Sequence, residues 1–356
     1  MSHKLEKFRQ MLKKREIPAA IITDELNIGY LCDFRFSDGY LLIDETSAYL
    51  VTDFRYYEEA GKRCSNDFTV VMPDERVAFI KDFLKKGEHT LLGFESGTMT
   101  VATYHRYEDL LPASLIPMGD ILTEMRAVKS VEEIEKIKMA QRITDEAFDH
   151  ILRTMTPSIT ERDIALELSY FMKKRGAEAD SFDIIAVSGD ASALPHGKCR
   201  NQKISKGFLT MDFGCIYEGY CSDMTRTVCI GKADIQMKRL YETVLAAQKE
   251  ALSVIKAGET GSFVDGVARG YIEKAGYHNA FGHGLGHGVG LYIHEAPSLS
   301  PNATEKRLEA GNVVTIEPGI YLMGQYGCRI EDMGAVTALG FDNFTHSTKE
   351  LIELFA

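Results

Sequence analysis

The chain has 356 residues, 45% hydrophobic and 26% charged, enough for two domains with full cores. Its formal charge of −11, with no local block of lysine or arginine to offset it, argues against nucleic acid or an anionic membrane surface as a partner. No apolar run approaches bilayer-spanning length, the opening MSHKLEKFRQ reads as no secretory segment, and seven cysteines without a CxxC pair read as reduced thiols of a cytoplasmic protein.

The first third alternates helix and strand patterns. Residues 4–15 have a helical pattern, 19–23 (AAIIT) read as a strand, and 40–44 (YLLID) with 48–53 (AYLVTD) as a hairpin. A helix near 55–62, a strand at 68–72, a helix over 76–86, a strand at 91–95 and a helix near 101–111 complete a small α/β domain. Beyond EMRAVKS, Ser130 and Glu133 form a capping-box pattern opening a long helix, whose Ile134, Ile137, Ala140, Ala147 and Ile151 share a stripe. The boundary is expected at about 125–130, giving domains 1–126 and 127–356.

The second domain carries a loose duplication. A helix pair, the second helix over about 160–175, precedes LTMDFGCIYEGYCSDMTRTV; helices over about 235–256 and 262–275 precede VVTIEPGIYLMGQYGCRIEDMGAV. Each quoted segment has an apolar strand, an acid, a glycine two residues on, Ile-Tyr, a turn, a second acid and a strand. Two related halves packed face to face are expected.

The acids are costly where they stand. Asp212 and Glu317 lie in apolar, β-prone strands, and a buried carboxylate needs a partner or a metal. With the first turn centred on Tyr217–Glu218, Asp212 and Asp223 fall opposite one another, their Cβ atoms ~5 Å apart. Glu331 lies across its own hairpin from Glu317. Four such carboxylates repel unless cations lie between them, and two divalent ions would balance their charge. Oxygen-rich ligands with one imidazole suit Mn²⁺ or Co²⁺, less decisively Zn²⁺, and such ions acidify a shared water.

The imidazole comes from FGHGLGHGVGLYIHE, residues 281–295, which holds His283, His287 and His294. His283 and His287 would share a helical face, but its five alternating glycines would cost a helix roughly 4–5 kcal/mol against alanine. Extended or looping backbone is expected, with the glycines admitting substrate and metal. One histidine would be a ligand and the others would handle protons. His3, His89, His105, His150, His278 and His346 read as surface or structural, and Asp53 and Tyr57 as structural or dimer-contact residues.

LTMDFG, CSDMTRT, GHGVGLYIHEAP, TIEPGIY and RIED, in this order, resemble the pita-bread metallopeptidases: aminopeptidase P, prolidase and, more distantly, methionine aminopeptidase. YLCDF and VTDFRYYEEA resemble the creatinase-like N-terminal domain. The resemblance implies an α+β chain, a small α/β N-terminal domain followed by a pita-bread catalytic domain of two pseudo-symmetric halves. It implies Asp212 as chelating ligand of one metal, Asp223 and Glu331 as carboxylates bridging both, and His287 and Glu317 as ligands of the second. The ligand histidine of the family lies seven before that of its HExP motif, which assigns His287 rather than His283 or His294. His294 is implied beside the scissile bond, where it stabilises the tetrahedral intermediate. His283 and His196 (in ALPHG) are implied to bind substrate or relay protons, and Arg329 to orient the acids.

The activity implied is hydrolysis at an N-terminal Xaa-Pro bond, by a homodimer that touches the peptide's free amine. Strict dipeptidases read the product carboxylate with arginines; Ser298 stands at one such place, and Arg307 does not match the other. The balance favours an Xaa-Pro aminopeptidase over an Xaa-Pro dipeptidase. A metal-free creatinase-like amidinohydrolase or a non-catalytic binding protein would lack the acid set, which is intact.

Overall fold

The computed structural model describes residues 3–356; Met1 and Ser2, which open both the stretch read as leaderless and the expected first domain, lie outside the described residues. The chain divides into two compact units, Met1–Met125 and Arg126–Ala356. Among the described residues no helix is long and apolar enough to cross a membrane.

The first unit is built on a mixed sheet of β1 (Ala19–Ile22), β2 (Gly39–Asp44), β3 (Ala48–Thr52), β4 (Thr69–Val71), β5 (Leu91–Phe94) and β6 (Ser114–Pro117), in the order β4-β3-β2-β1-β5-β6. β1, β2 and β3 run antiparallel, while β3–β4, β1–β5 and β5–β6 are parallel pairs. Parallel neighbours need crossovers, and α3 (Phe54–Cys64), α4 (Arg76–Lys86) and α5 (Val101–Leu110) connect the successive strands from β3 to β6. Ile21, Leu42, Val51, Ile80 and Leu92 are among its core. α1 (His3–Lys14) opens the unit. α2 (Glu25–Cys32), β6 and α6 (Ile121–Ala127) are absent from the sequence expectation. ELNIGYLC is buried from Asn27 to Cys32, so α2 shows no one-sided stripe to read; the Asp24 cap on the Asn27 N–H is its main local signal.

The second unit shows the duplication. α7 (Val131–Thr154) and α8 (Glu161–Lys174) precede one set of strands, and α9 (Ile235–Val254) and α10 (Gly261–Lys274) precede the other. Ser130 and Glu133 form the expected capping box of α7. The threonines capping α8 and α10 correspond: Thr160 bridges to Lys203 and Thr260 to Arg307, each antiparallel. In the first half β8 (Ile185–Ser188), β9 (Gly207–Phe213), β12 (Met224–Ile230) and β20 (Glu353–Leu354) form a sheet ordered β20-β12-β9-β8, and β10 (Cys215–Tyr217) with β11 (Tyr220–Cys221) forms the hairpin tip, β7 (Ala179–Asp180) alongside β10. In the second half the order is β14 (Glu295–Leu299), β13 (Gly286–Gly288), β15 (Val313–Ile316), β18 (Asp332–Val336) and β19 (Phe341–Asn343), with the tip formed by β16 (Gly319–Leu322) and β17 (Tyr326–Arg329).

The ladder of each long hairpin is interrupted between base and tip, and three of the four acids occupy the interruptions while Asp212 lies beside one. Asp223 lies between β11 and β12, Glu317 between β15 and β16, Glu331 between β17 and β18, and Asp212 is the penultimate residue of β9. The register of the first hairpin differs from expectation. Asp212 pairs with Thr225 and Tyr217 with Tyr220, so the turn centres on Glu218–Gly219, not Tyr217–Glu218. Both turn residues have positive φ, 44° and 80°, the two-residue loop that matches strand twist and favours glycine at its second place. Asp223 is therefore diagonal to Asp212 rather than opposite it. The shift moves the partner by two places, so both acids keep the same face.

The glycine-histidine segment is extended or looping, with β13 its only regular stretch between Phe281 and His294. Two of its glycines meet the backbone of neighbouring strands. A Cβ on Gly286 would collide with the Thr315 carbonyl, and one on Gly288 with the Ala296 carbonyl. Gly286→Ala should therefore part β13 from β15 and destabilise the protein by ~1–3 kcal/mol, read as a lower denaturation midpoint.

Candidate metal centre

Asp212, Asp223, His287, Glu317 and Glu331 converge on the wall of a cavity of about 450 Å³, which His196, His283, His294 and Arg329 also line. One ligand atom each from Asp223, His287 and Glu331 lie within 4.8 Å of one another. His287 Nδ1 is 3.1 Å from the Gly288 carbonyl. A carbonyl only accepts, so the proton is on Nδ1 and the Nε2 lone pair is free. That lone pair faces Glu317 Oε1 at 3.3 Å and Asp223 Oδ2 at 3.5 Å.

Arg329 ties the halves together. Its Nη2 donates to Asp212 Oδ2 at 2.7 Å, its Nε to Thr225 Oγ1 at 2.9 Å and its Nη1 to the Tyr321 hydroxyl at 2.8 Å. Thr225 in turn donates to Glu331 Oε2 at 2.8 Å. Thr315 has the corresponding place in the second hairpin: it donates to Glu317 Oε1 at 3.2 Å and accepts from the His287 N–H at 3.1 Å. Thr225, Thr315 and Tyr321 are absent from the sequence reading. The signal for the threonines was their place: Thr225 is two residues from Asp223 and Thr315 two from Glu317, hence on the same strand faces.

His283 is more constrained than a free proton carrier. Its Nδ1 is 2.8 Å from the Gly284 carbonyl and its Nε2 2.9 Å from the Tyr321 hydroxyl, so both ring nitrogens are engaged. Burial, aided by the Arg329 charge, holds it neutral, its pKa pushed down to about 4. His294 is different. Its ring lies 4.3 Å from that of His287, centroid to centroid, it is exposed to the cavity, and among the described residues no hydrogen bond reaches its imidazole.

Without a cation this arrangement is out of balance. Burial, then repulsion from Glu331, Asp212 and Glu317, pushes Asp223 well above the carboxylate range. Burial and its acidic neighbours do the same to Glu331, and burial raises Glu317 to about 8. Burial also pushes His287 down to about 4. Asp212 Oδ1 and Glu331 Oε1 are buried with no hydrogen-bond partner. Orphaned carboxylate oxygens and an imidazole lone pair turned toward one another fit a donor set for divalent cations.

Fold and site together define a hydrolytic metalloenzyme: paired hairpins that present carboxylates and one imidazole to an open cavity. Residues 135–338 match Metallopeptidase family M24, and residues 4–128 match the Creatinase/Prolidase N-terminal domain; the chain belongs to the M24 metallopeptidases, which are hydrolases, and has their pita-bread fold. It is similar to an Xaa-Pro dipeptidase from Bacillus anthracis, with 40% identity, a TM-score of 0.96 and 99% of each chain covered. It is similar to an X-Pro aminopeptidase from Thermotoga maritima, with 34% identity and a TM-score of 0.90, covering 97% of this chain and 100% of that one. An Xaa-Pro dipeptidase of Pyrococcus horikoshii is 37% identical, with 99% of each chain covered.

Proposed function

We propose that this chain is an Xaa-Pro aminopeptidase, a dinuclear-metal exopeptidase that hydrolyses the N-terminal Xaa-Pro bond of peptides. Asp212, Asp223, His287, Glu317 and Glu331 would hold two divalent ions, Mn²⁺ by preference with Co²⁺ or Zn²⁺ as alternatives. Bound there, such ions would supply an acidified water and a Lewis acid for the carbonyl. The chain does the rest. Arg329 fixes the Asp212 carboxylate directly and Glu331 through Thr225. Nδ1–H of His287 bonded to the Gly288 carbonyl keeps its Nε2 facing the acids. His294, with no internal hydrogen-bond partner among the described residues, is free to bond the carbonyl oxygen as charge develops on it. His196 lines the same wall, while His283 aligns Tyr321 and thereby Arg329.

The aminopeptidase reading is carried by one observation. Among the described residues lining the cavity Arg329 is the only lysine or arginine, and Asp212, Thr225 and Tyr321 engage it. Ser298 lines the wall where a dipeptidase arginine is expected, and Arg307 is exposed and bonded to the Gly258 carbonyl at 2.5 Å. No other lysine or arginine among the described lining residues is left to demand a carboxylate directly after proline. The dipeptidase reading has its own support in the printed names of the Bacillus anthracis and Pyrococcus horikoshii relatives.

The Mn²⁺-loaded protein should cleave Ala-Pro-Ala at least as well as Ala-Pro, and should leave N-acetyl-Ala-Pro-Ala intact, compared by kcat/KM. Hydrolysis of Ala-Pro alone would establish the dipeptidase instead. No hydrolysis of either would overturn both readings. A cytoplasmic homodimer completes the proposal; the dimer rests on family likeness, and the compartment on seven cysteines that include no CxxC pair.

A further inference from the structure

His294 has no hydrogen bond of its own among the described residues, so its place is set by the backbone that carries it. That backbone is fastened on both sides by one arginine. Arg126 lies over the Tyr292 ring, 4.9 Å to the centroid, and its Nε is 3.3 Å from Glu295 Oε2. Lys129 Nζ lies 2.7 Å from the other oxygen, Glu295 Oε1, as an ion contact rather than an aligned hydrogen bond. The three side chains are 8%, 2% and 3% exposed for Arg126, Lys129 and Glu295. His294 and Glu295, adjacent in the chain, thus face opposite ways, one into the cavity and the other into a buried ion triad.

The triad stands on a stiff support. The Lys129 N–H donates to the Gly311 carbonyl at 2.9 Å, Asn312 Nδ2 donates to the Ala127 carbonyl at 2.9 Å, and Val128 bridges to Asn312. The chain passes the pair at Gly290, where any Cβ would take the place of the Glu295 carboxylate and meet Lys129 Cε at 3.0 Å. A buried ion pair is seldom worth net stability, because desolvation offsets the attraction. Its use here is geometric.

We propose that Glu295, held by Lys129 and Arg126, is the positioning residue for His294, fixing the imidazole beside the acids without touching substrate. The inference rests on His294 acting in Xaa-Pro hydrolysis. Displacement of an acting group by even ~1 Å can cost on the order of a hundredfold in rate.

The test uses Glu295→Gln and, since glutamine leaves Lys129 buried without its counter-charge, the neutral double variant Lys129→Met/Glu295→Gln. Both are made in the full chain and again in a His294→Ala background. The readouts are kcat, KM and metal content with Mn²⁺, and the ring resonances of His294 in the metal-free protein. Glu295→Gln should lower kcat ~10–100-fold, the scale of groups that orient others. KM and metal content should stay within about twofold, the signature of a loss confined to turnover. In the His294→Ala background the same change should cost no further turnover, since two residues acting through one group are not additive. The His294 ring signals should shift or broaden. Full turnover in folded variants, an equal loss in the His294→Ala background, or unmoved ring signals would each overturn the proposal, as would failure of both variants to fold. If the unaltered protein cleaves no Xaa-Pro peptide, the functional reading fails, and the ring signals alone decide whether Glu295 positions His294.

Discussion

Stripping divalent metal from the purified protein should abolish peptide hydrolysis and lower its thermal midpoint, by an amount that grows as pH rises from ~5 toward about 8. The direction follows from the acids. In the metal-free fold burial raises Glu317 to about 8, and burial with like-charge neighbours raises Asp223 and Glu331. In the unfolded chain the same groups ionise near pH ~4. A group raised on folding contributes stability that is fully present below its unfolded value and is lost as pH climbs through its folded one. The metal-free protein should therefore weaken across this window. Bound cations remove the penalty, because they favour the charged carboxylates that repulsion disfavours. At a free metal concentration a hundredfold above Kd, binding to the folded state alone contributes ~2.7 kcal/mol. Melting curves with chelator and with Mn²⁺, at several pH values, check this. A gap that does not change with pH, or activity that survives chelation, would contradict it.

The convergence of these acids is legible in the sequence because they break a local rule. Asp212 in LTMDFG and Glu317 in VVTIEPG sit in runs that otherwise read as buried strand, and a buried carboxylate signals a partner. The strand and helix boundaries followed for a similar reason: AAII is buried along its whole length, and α7 begins at its capping box. What stayed hidden depended on pairing across distance. The register of the first hairpin turns on Glu218 and Gly219 together taking positive φ in the loop. A turn centred one residue earlier would have set Asp212 against Asp223, whereas the observed one sets it against Thr225.

The glycines of residues 282–290 illustrate the same limit. Their spacing signalled close approach, but not what approaches. For Gly286 and Gly288 it is the carbonyls of Thr315 and Ala296, residues far off or across a hairpin. Glu295 was overlooked because its partners, Arg126 and Lys129, lie some 170 positions earlier in the chain, where only the fold brings them near. α2 was missed for the opposite reason: burial on nearly all its faces erases the periodicity that identifies a helix.

His287→Ala and His294→Ala should fail in different ways, although their rings lie only 4.3 Å apart. The Nε2 of His287 points at Glu317 and Asp223, 3.3 and 3.5 Å away, and its Nδ1–H is held by the Gly288 carbonyl. Its removal should weaken one ion by at least the tenfold seen when groups that merely orient ligands are lost, roughly 10–100-fold. Excess Mn²⁺ should then restore part of the activity. His294 faces the cavity, and no hydrogen bond among the described residues ties it to the acids. His294→Ala should keep both ions and bind substrate with little change in KM, yet lose ~10²–10³-fold in kcat, the scale of one donor lost from a developing oxyanion. Added metal should not rescue it, since nothing that holds metal has gone. Metal content and kcat measured side by side decide the matter. Equal metal loss in both variants, or metal loss in His294→Ala alone, would mean that the imidazole serving the metal and the imidazole serving the substrate are not the ones whose lone pairs face those directions.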